Sequence, residues 1–342
     1  AIARAGAGVN NIPLALCTEQ GIPVFNTPGA NANAVKELVA AAMLLACRDI
    51  VGGITFAQSQ DPSMAATDMS ALMEREKKRF AGAELAGKTL GVVGLGSIGS
   101  LVARLGLDFD MDVVGFDPAL SVEAAWRLPS EVQRMENVQS LVNRSDFISL
   151  HLPVLDSTRG LVNAEMLSHF KSGSCLLNFA REEIVSTEAV VGALDSGLLS
   201  RYVTDFPNPL LLGRDDALLM PHIGASTAEA EENCAVMAAN QLRGFLEHGN
   251  IRNSVNFPAI ELERTTEYRI TISNRNEPGM LSHILTLIGD DGLNVADLLN
   301  KSVGDIAYNI IDLDELPPQA VLDKISGLEG VINLRLIEGE PT

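Results

Sequence analysis

The spacing of apolar residues changes character along the chain, and each change marks a different kind of element. Leu90 to Val93 is a short apolar run, the signature of a buried strand. Ile98, Val102 and Leu105 then recur at helical spacing, and Val113, Val114 and Phe116 return to a strand pattern. Phe147 to Leu150 and Cys175 to Phe179 read as further buried strands, with Tyr202 to Thr204 and Ala217 to Met220 as shorter ones. Thr187 to Leu194 reads as a helix closed by Gly197. Short apolar runs alternating with helices predict a parallel sheet. Ahead of this block, Ala1 to Ala7 and Pro23 to Phe25 read as strands and Ala32 to Ala46 as an apolar helix. After it, Ala225 to Glu247 is a long helix carrying Cys234, Met237, Ala238, Leu242 and Phe245.

The stretch from Val255 to Thr265 reads as a linker. Beyond it, Tyr268, Ile270 and Ile272 alternate as a strand, and Pro278-Gly279 opens a helix bearing Leu281, Ile284, Leu285 and Ile288. Asn294 to Leu298, Ala307 to Leu313 and Val331 to Leu336 read as strands, with a helix from Ala320 to Ile325. The order is βαββαβ, a ferredoxin-like module too small for a typical enzyme domain. Ligand sensing and simple dimerisation are its two readings.

Between the first strand and helix of the parallel block, Gly94, Gly96 and Gly99 fall at G-x-G-x-x-G spacing. The first glycine makes the tight turn, the second lets backbone N–H groups approach a pyrophosphate, and the third lets helix pack on strand. Ser97 and Ile98 lie at the helix start between them, and Asp117 closes the following strand. An acid there accepts the ribose hydroxyls of NAD and repels the 2′-phosphate of NADP. Strand, glycine turn, helix, strand and terminal acid together predict a Rossmann-type, doubly wound NAD domain.

Composition narrows the partners. The 342 residues suit two or three domains, and 46% hydrophobic residues supply their cores. A formal charge of −19 argues against nucleic acid and against an anionic membrane surface. It leaves room for a small anionic substrate in a local basic pocket. Cys17, Cys47, Cys175 and Cys234 have no metal-type spacing, so no metal is expected. Each sits in an apolar stretch, as buried reduced thiols of a cytoplasmic protein do. The opening AIARAGAGV reads as the inside of a strand, so further residues are expected ahead of Ala1. The glycine motif comes late, which predicts a cofactor domain inserted into another: residues 1–28 with 226–258, then 29–225 for NAD, then 259–342.

Hydride chemistry at an alcohol carbon needs a proton carrier and a grip on the substrate. His222 stands out in MPHIGAST, just after a short apolar strand, where ligands of open α/β sheets bind. Arg181 in LLNFARE also follows a buried strand and can hold a carboxylate bidentately. A surface salt bridge is the competing reading of Arg181. His151 and Pro153 in SLHLP read as shaping the cofactor cleft, whereas His169 and His248 read as surface residues.

The segments AGAGVNNI, FNTPGANANAVKE, VVGLGSIG, FDP, HLP, NFAR, YVTDFP, PHIGAST, VNFP and ISNRNEPGML occur in this order along essentially the whole chain. In these the sequence resembles the D-2-hydroxyacid dehydrogenase family, in its branch with a C-terminal ACT domain. The resemblance implies a split flavodoxin-like substrate domain around the NAD domain and a homodimer or homotetramer. It makes His222 the acid/base and Arg181 the carboxylate grip. It places Asn31 against substrate and offers the backbone at Gly8 and Val9 to the carboxylate. For a phosphate the candidates are Arg4 and the basic run Arg75, Lys77, Lys78 and Arg79, a solvated helix face with Glu74 and Glu76 interleaved being the competing reading of the run. Ala180, Thr204, Asp205 and Gly224 join the cofactor set, and Asn274, Asn276 and Asn294 match positions that bind an amino-acid effector such as serine.

One position departs from the family pattern. Relatives pair the acid/base His with a Glu, and Pro209 stands at the matching place. The leading activity implied is oxidation of D-3-phosphoglycerate to 3-phosphohydroxypyruvate, with turnover weakened by Pro209. The alternatives are another small 2-hydroxy acid, of the glyoxylate or 2-oxoglutarate type, and a sensor of NAD and amino acids that has lost turnover.

Overall fold

Two short parallel strands, β1 (Ile2–Ala3) and β2 (Val24–Phe25), open the chain in a computed structural model that describes residues 1–340. The strand expected from Ala1 to Ala7 is therefore only two residues long. From Arg4 onward the backbone is taken up by turn contacts instead: Thr27 donates its N–H to the Gly6 carbonyl, and Gly6 donates to Thr27 Oγ1 at 2.7 Å. The chain divides into two units, residues 32–227 and residues 1–31 together with the chain from Ala228 onward.

Residues 32–227 hold a seven-stranded parallel sheet: β3 (Thr89–Val93), β4 (Asp112–Phe116), β5 (Gln133–Arg134), β6 (Phe147–Leu150), β7 (Ser174–Asn178), β8 (Leu199–Thr204) and β9 (Ala217–Leu219). Their spatial order is β5-β4-β3-β6-β7-β8-β9, so the winding reverses between β3 and β6. Open α/β sheets bind ligands at such a switch point, outside the carboxyl ends of the strands. The central strands β3, β6 and β7 are largely apolar because both faces are covered, whereas β5 (Gln133–Arg134) is exposed and β8 carries Ser200 and Arg201. Val93, Ile148, Leu150 and Leu176 enter one core, and Leu90, Val92, Phe147 and Leu177 the other. Five α-helices here escaped the periodicity reading: Val122–Trp126, Val138–Arg144 and Ala164–Leu167 are too short to show a period, and Ile50–Gln58 and Ala66–Glu76 have no buried residue. With no face turned to a core, the spacing carries no signal.

In the other unit, a four-stranded antiparallel sheet contains β10 (Tyr268–Arg275), β11 (Val295–Val303), β12 (Ile306–Leu313) and β13 (Val331–Glu338), in the order β11-β12-β10-β13. Helices Met280–Asp290 and Gln319–Ser326 complete the βαββαβ order. Ile270, Ile272, Ile311 and Leu313 form one core with Ile284, Ile288, Val321 and Ile325. On the opposite face, Tyr308 and Ile310 pack with Phe25, Phe245, Ile251, Phe257 and Ile260. The stretch read as a free linker is thus partly core, with Phe257 3% and Ile260 1% exposed. The long helix runs from Ala228 to His248 and presents Cys234, Ala238 and Phe245 inward. His248, read as a surface residue, turns its Nδ1 inward without a partner. Cys17, Cys175 and Cys234 are buried free thiols, while Cys47 is half-buried. Among the described residues no single helix is long and apolar enough to cross a membrane.

Candidate functional site

The three glycines after β3 occupy different kinds of space. A Cβ on Gly99 would stand 1.8 Å from the Gly94 carbonyl oxygen, and one on Gly94 2.4 Å from the His151 carbonyl oxygen. Gly94 also has φ +91°, a left-handed conformation that favours glycine. Gly96, by contrast, faces open space, with nothing within 4 Å of where its Cβ would be. The helix Ser97–Asp108 begins immediately after it, so the N–H groups of its first turn border that opening. A pyrophosphate fits this cradle, held by backbone N–H groups and the helix dipole. Asp117 follows β4; its Oδ2 accepts from the Leu95 N–H at 2.8 Å and its Oδ1 from the Ala119 N–H at 2.9 Å. Each carboxylate oxygen keeps lone-pair capacity for a ribose hydroxyl. A cavity of about 890 Å³ opens beyond Asp117, lined by Phe116, Pro118, Val122, Trp126 and Met135 among others.

His151 follows β6, next to the glycine turn. Its Nε2 lies 2.8 Å from Ser149 Oγ, and its Nδ1 is buried without a partner. Burial pushes its pKa down to about 3, so the ring is neutral at ordinary pH and shapes the site without adding charge. Pro153, exposed two residues on, lends its carbonyl to Thr158 Oγ1 at 2.6 Å.

The carboxyl ends of β7, β8 and β9 lie side by side, because β8 pairs with both of the others. Arg181 follows β7 and His222 follows β9, with Asp205 and Phe206 at the end of β8 between them in sheet order. Asn178, wholly buried, shapes the first of these ends: its Nδ2 donates to the Arg181 carbonyl at 2.9 Å and its Oδ1 accepts from Ala180 N–H at 3.2 Å. The guanidinium of Arg181 donates to the Ala180 carbonyl, while the residue itself stays exposed and pairs with no carboxylate among the described residues. The surface salt bridge, its competing reading, is not formed among the described residues.

Asp205 is 3% exposed and accepts from Ile223 N–H at 2.8 Å and Gly224 N–H at 2.7 Å. These bonds anchor the loop that carries His222, whose φ of +56° is left-handed for a non-glycine residue. The His222 ring meets the Phe206 ring edge-on, with centroids 5.0 Å apart. Thr204 is wholly buried and joins the strand ends through its Oγ1, which donates to the Asn178 carbonyl at 3.2 Å. Pro209 opens a 3-10 turn (Pro209–Leu211), where a missing N–H costs nothing, and Asn208 caps it through Leu210 N–H. Among the described residues no carboxylate pairs with the His222 ring; its aromatic neighbour is Phe206.

The sequence reading singled out neither Asn178 nor the loop-anchoring role of Asp205. A polar residue inside the apolar run CLLNFA was the available signal for Asn178.

Arg4, Gly8, Val9 and Asn31 belong to the other unit, where Gly8 and Val9 follow β1 and Asn31 follows β2. Asn26 Nδ2 ties the two loops by donating to the Ala7 carbonyl at 2.8 Å. Arg4 folds its guanidinium onto the Gly8 carbonyl. The basic run Arg75 to Arg79 is engaged with its own acids, Lys77 with Glu74 and Arg75 and Arg79 with Glu76, a solvated helix face.

The comparison with known families decides between dinucleotide folds. Residues 41–224 match the family described as D-isomer specific 2-hydroxyacid dehydrogenase, NAD binding domain. The chain belongs to this family. NAD is its cofactor. The D-3-phosphoglycerate dehydrogenase of Methanocaldococcus jannaschii is 33% identical over 91% of this chain, which spans only 57% of that relative's length. The hydroxypyruvate reductase of Thermotoga maritima is 37% identical over 69% of this chain and 74% of its own. Among solved structures, apo D-mandelate dehydrogenase of Rhodotorula graminis superposes with a TM-score of 0.65 at 26% identity, covering 74% of each chain.

Proposed function

We propose that the protein oxidises D-3-phosphoglycerate to 3-phosphohydroxypyruvate, the entry to serine synthesis, as a cytoplasmic homo-oligomer. The observation that carries this reading is the pair of groups at the ends of β7 and β9, either side of β8, an uncommitted Arg181 and a loop-held His222, in a chain similar to D-3-phosphoglycerate dehydrogenases over nearly its full length. When bound, NAD accepts the hydride from the carbon bearing the hydroxyl. His222 takes the hydroxyl proton, and Arg181 grips the carboxylate. Asn31 and the backbone at Gly8 and Val9 supply further substrate contacts, and Arg4 is the candidate for the phosphate. The cofactor is cradled by Gly94, Gly96, Ser97, Ile98 and Gly99, fixed at its ribose by Asp117, and bordered by His151, Pro153, Ala180, Thr204, Asp205 and Gly224. In domain terms, residues 1–28 with 226–258 bind substrate, 29–225 bind NAD, and 259–342 form a regulatory ACT module.

The effector reading needs a second copy of the chain. Asn274 and Asn276 lie at the end of β10, whereas Asn294 precedes β11, and the sheet register puts these at opposite ends. Asn294 is also engaged with Asp314 and Asn276 with the Gly304 carbonyl, both at the surface where a partner module reaches them. Asn274 is buried, bonded to Asn309, and fits a supporting role better than direct contact.

NADH formation is measured with D-3-phosphoglycerate against unphosphorylated 2-hydroxy acids, with and without serine, for the parent and His222→Gln. The expected result is preference for the phosphorylated acid, inhibition by serine, and a fall in kcat of about 10²- to 10⁴-fold in the variant. Equal or faster turnover of an unphosphorylated acid such as glycolate or 2-hydroxyglutarate favours the reading of another small 2-hydroxy acid, and no turnover of any acid favours the sensor.

A further inference from the structure

The glycine turn and Asp117 fix two points of the cofactor, and together they fix where its third part goes. With the pyrophosphate at Gly96 and the ribose at Asp117, the adenine must continue past the end of β4, into the cavity of about 890 Å³ that opens there. Part of its lining comes from a one-turn helix, Val122–Trp126, capped by Ser121 Oγ, which accepts from the Ala124 N–H. Its two large apolar side chains are unusually bare: Val122 is 76% and Trp126 85% exposed. Both line the cavity with Phe116, Pro118, Leu128 and Met135. An indole this exposed contributes little to the fold, yet it borders the space where a planar base must go. Bases stack on aromatic faces, and tryptophan offers the largest one. Asp117 also links the two halves of the arrangement, because the carboxylate that bonds the glycine turn at Leu95 bonds the start of this arm at Ala119.

We propose that Trp126 is a cofactor-positioning residue: the arm 119–126 closes over the adenosine half of NAD, with the indole stacked on adenine and Val122 packed beside it. The occupant is the dinucleotide's own adenine, as the two anchored points require. The arm then sets affinity for NAD without touching the reacting atoms, and hydride transfer from bound substrate is independent of it.

Trp126 is the only tryptophan of the chain, so all tryptophan emission comes from this side chain, and ADP-ribose and AMP, which lack the dihydronicotinamide, isolate the adenine contact. The full chain is titrated with NADH, ADP-ribose, AMP and nicotinamide mononucleotide, with binding followed independently by calorimetry. Saturable change in Trp126 emission, and protection of it from acrylamide quenching, are expected with NADH, ADP-ribose and AMP and not with nicotinamide mononucleotide. Trp126→Ala should weaken NADH and ADP-ribose by about tenfold, the size of one stacking contact. Trp126→Phe should recover most of that loss, the melting temperature should stay that of the parent, and any turnover should show a raised KM for NAD with kcat unchanged. The proposal is overturned if NADH binds calorimetrically while Trp126 emission and quenching stay unchanged. It is equally overturned if Trp126→Ala binds ADP-ribose as tightly as the parent, or loses nicotinamide mononucleotide to the same extent.

Discussion

In the parallel sheet, four buried polar groups gather at the carboxyl ends of the strands, Ser149, Asn178, Thr204 and Asp205 at 0–3% exposure, while among the described residues only the small Ser145 and Ser174 are buried at the amino ends. In the antiparallel sheet they spread over a whole face instead: Arg269, Thr271, Ser273 and Asp312 are likewise 0–3% exposed. The first arrangement builds a site, and the second builds an attachment. Arg269 donates Nε to Asp312 Oδ1 at 2.5 Å and Nη2 to Oδ2 at 2.8 Å, and its remaining N–H groups reach the carbonyls of His248, Leu262 and Glu263. Arg335 bonds the carbonyls of Phe245 and Leu246, and the Tyr308 hydroxyl bonds that of Gly249. The last carbonyls of a helix have no partners of their own and carry its negative end. Two arginines of the βαββαβ module therefore cap the long helix Ala228–His248, and the module is fixed to its unit by polar bonds as well as by apolar packing.

The comparison breaks most visibly at the buried pair. Arg269→Ala leaves Asp312 charged, buried and unpaired, at a cost of about 3–5 kcal/mol, read as a shift in the urea midpoint. Replacing both partners with apolar residues, Arg269→Met with Asp312→Leu, should restore most of that loss, because no lone charge remains. A single variant as stable as the parent would show that water reaches Asp312 and that the face is not closed.

The parallel sheet is tested at its glycines, where an attachment and a site predict different outcomes. Gly99→Ala drives a Cβ against the Gly94 carbonyl and should cost about 1–3 kcal/mol, together with NADH binding. Gly96→Ala meets only open space, so its melting temperature should match the parent while its affinity for NADH falls. Equal destabilisation by the two would remove the distinction between a packing glycine and a cradle glycine.

The same contrast explains what the sequence could reveal. The parallel strands were readable because burial on both faces leaves only apolar residues, as in Leu176 and Leu177 on opposite faces of β7. The candidate positions Gly94, Asp117, Arg181 and His222 stood out because strand ends are visible as the point where apolar runs stop. Alternation in Tyr268, Ile270 and Ile272 identified β10, yet it implied that Arg269 and Thr271 face water, the usual fate of the polar positions. Only the distant Asp312 and the carbonyls of residues 248–263 reverse that, and no local pattern encodes partners so far along the chain. The loop-anchoring bonds of Asp205 were hidden for a similar reason: its partners are backbone N–H groups at 223 and 224, which carry no residue signature.

The smallest effect separates a neutral polar group from a paired one. His151 has a pKa lowered to about 3 by burial, against about 6.5 in an unfolded chain. Between those values the unfolded chain binds the proton and the folded one does not, so stability is full above about pH 6.5 and declines as pH falls toward 3. Over the drop from about pH 7 to about pH 5 the loss attributable to this ring is about 1–2 kcal/mol. His151→Asn should abolish that slope, measured as the difference in urea midpoint between the two pH values for parent and variant. An unchanged slope in His151→Asn would mean that the ring takes up its proton in the folded chain, and that this end of the parallel sheet is open to water.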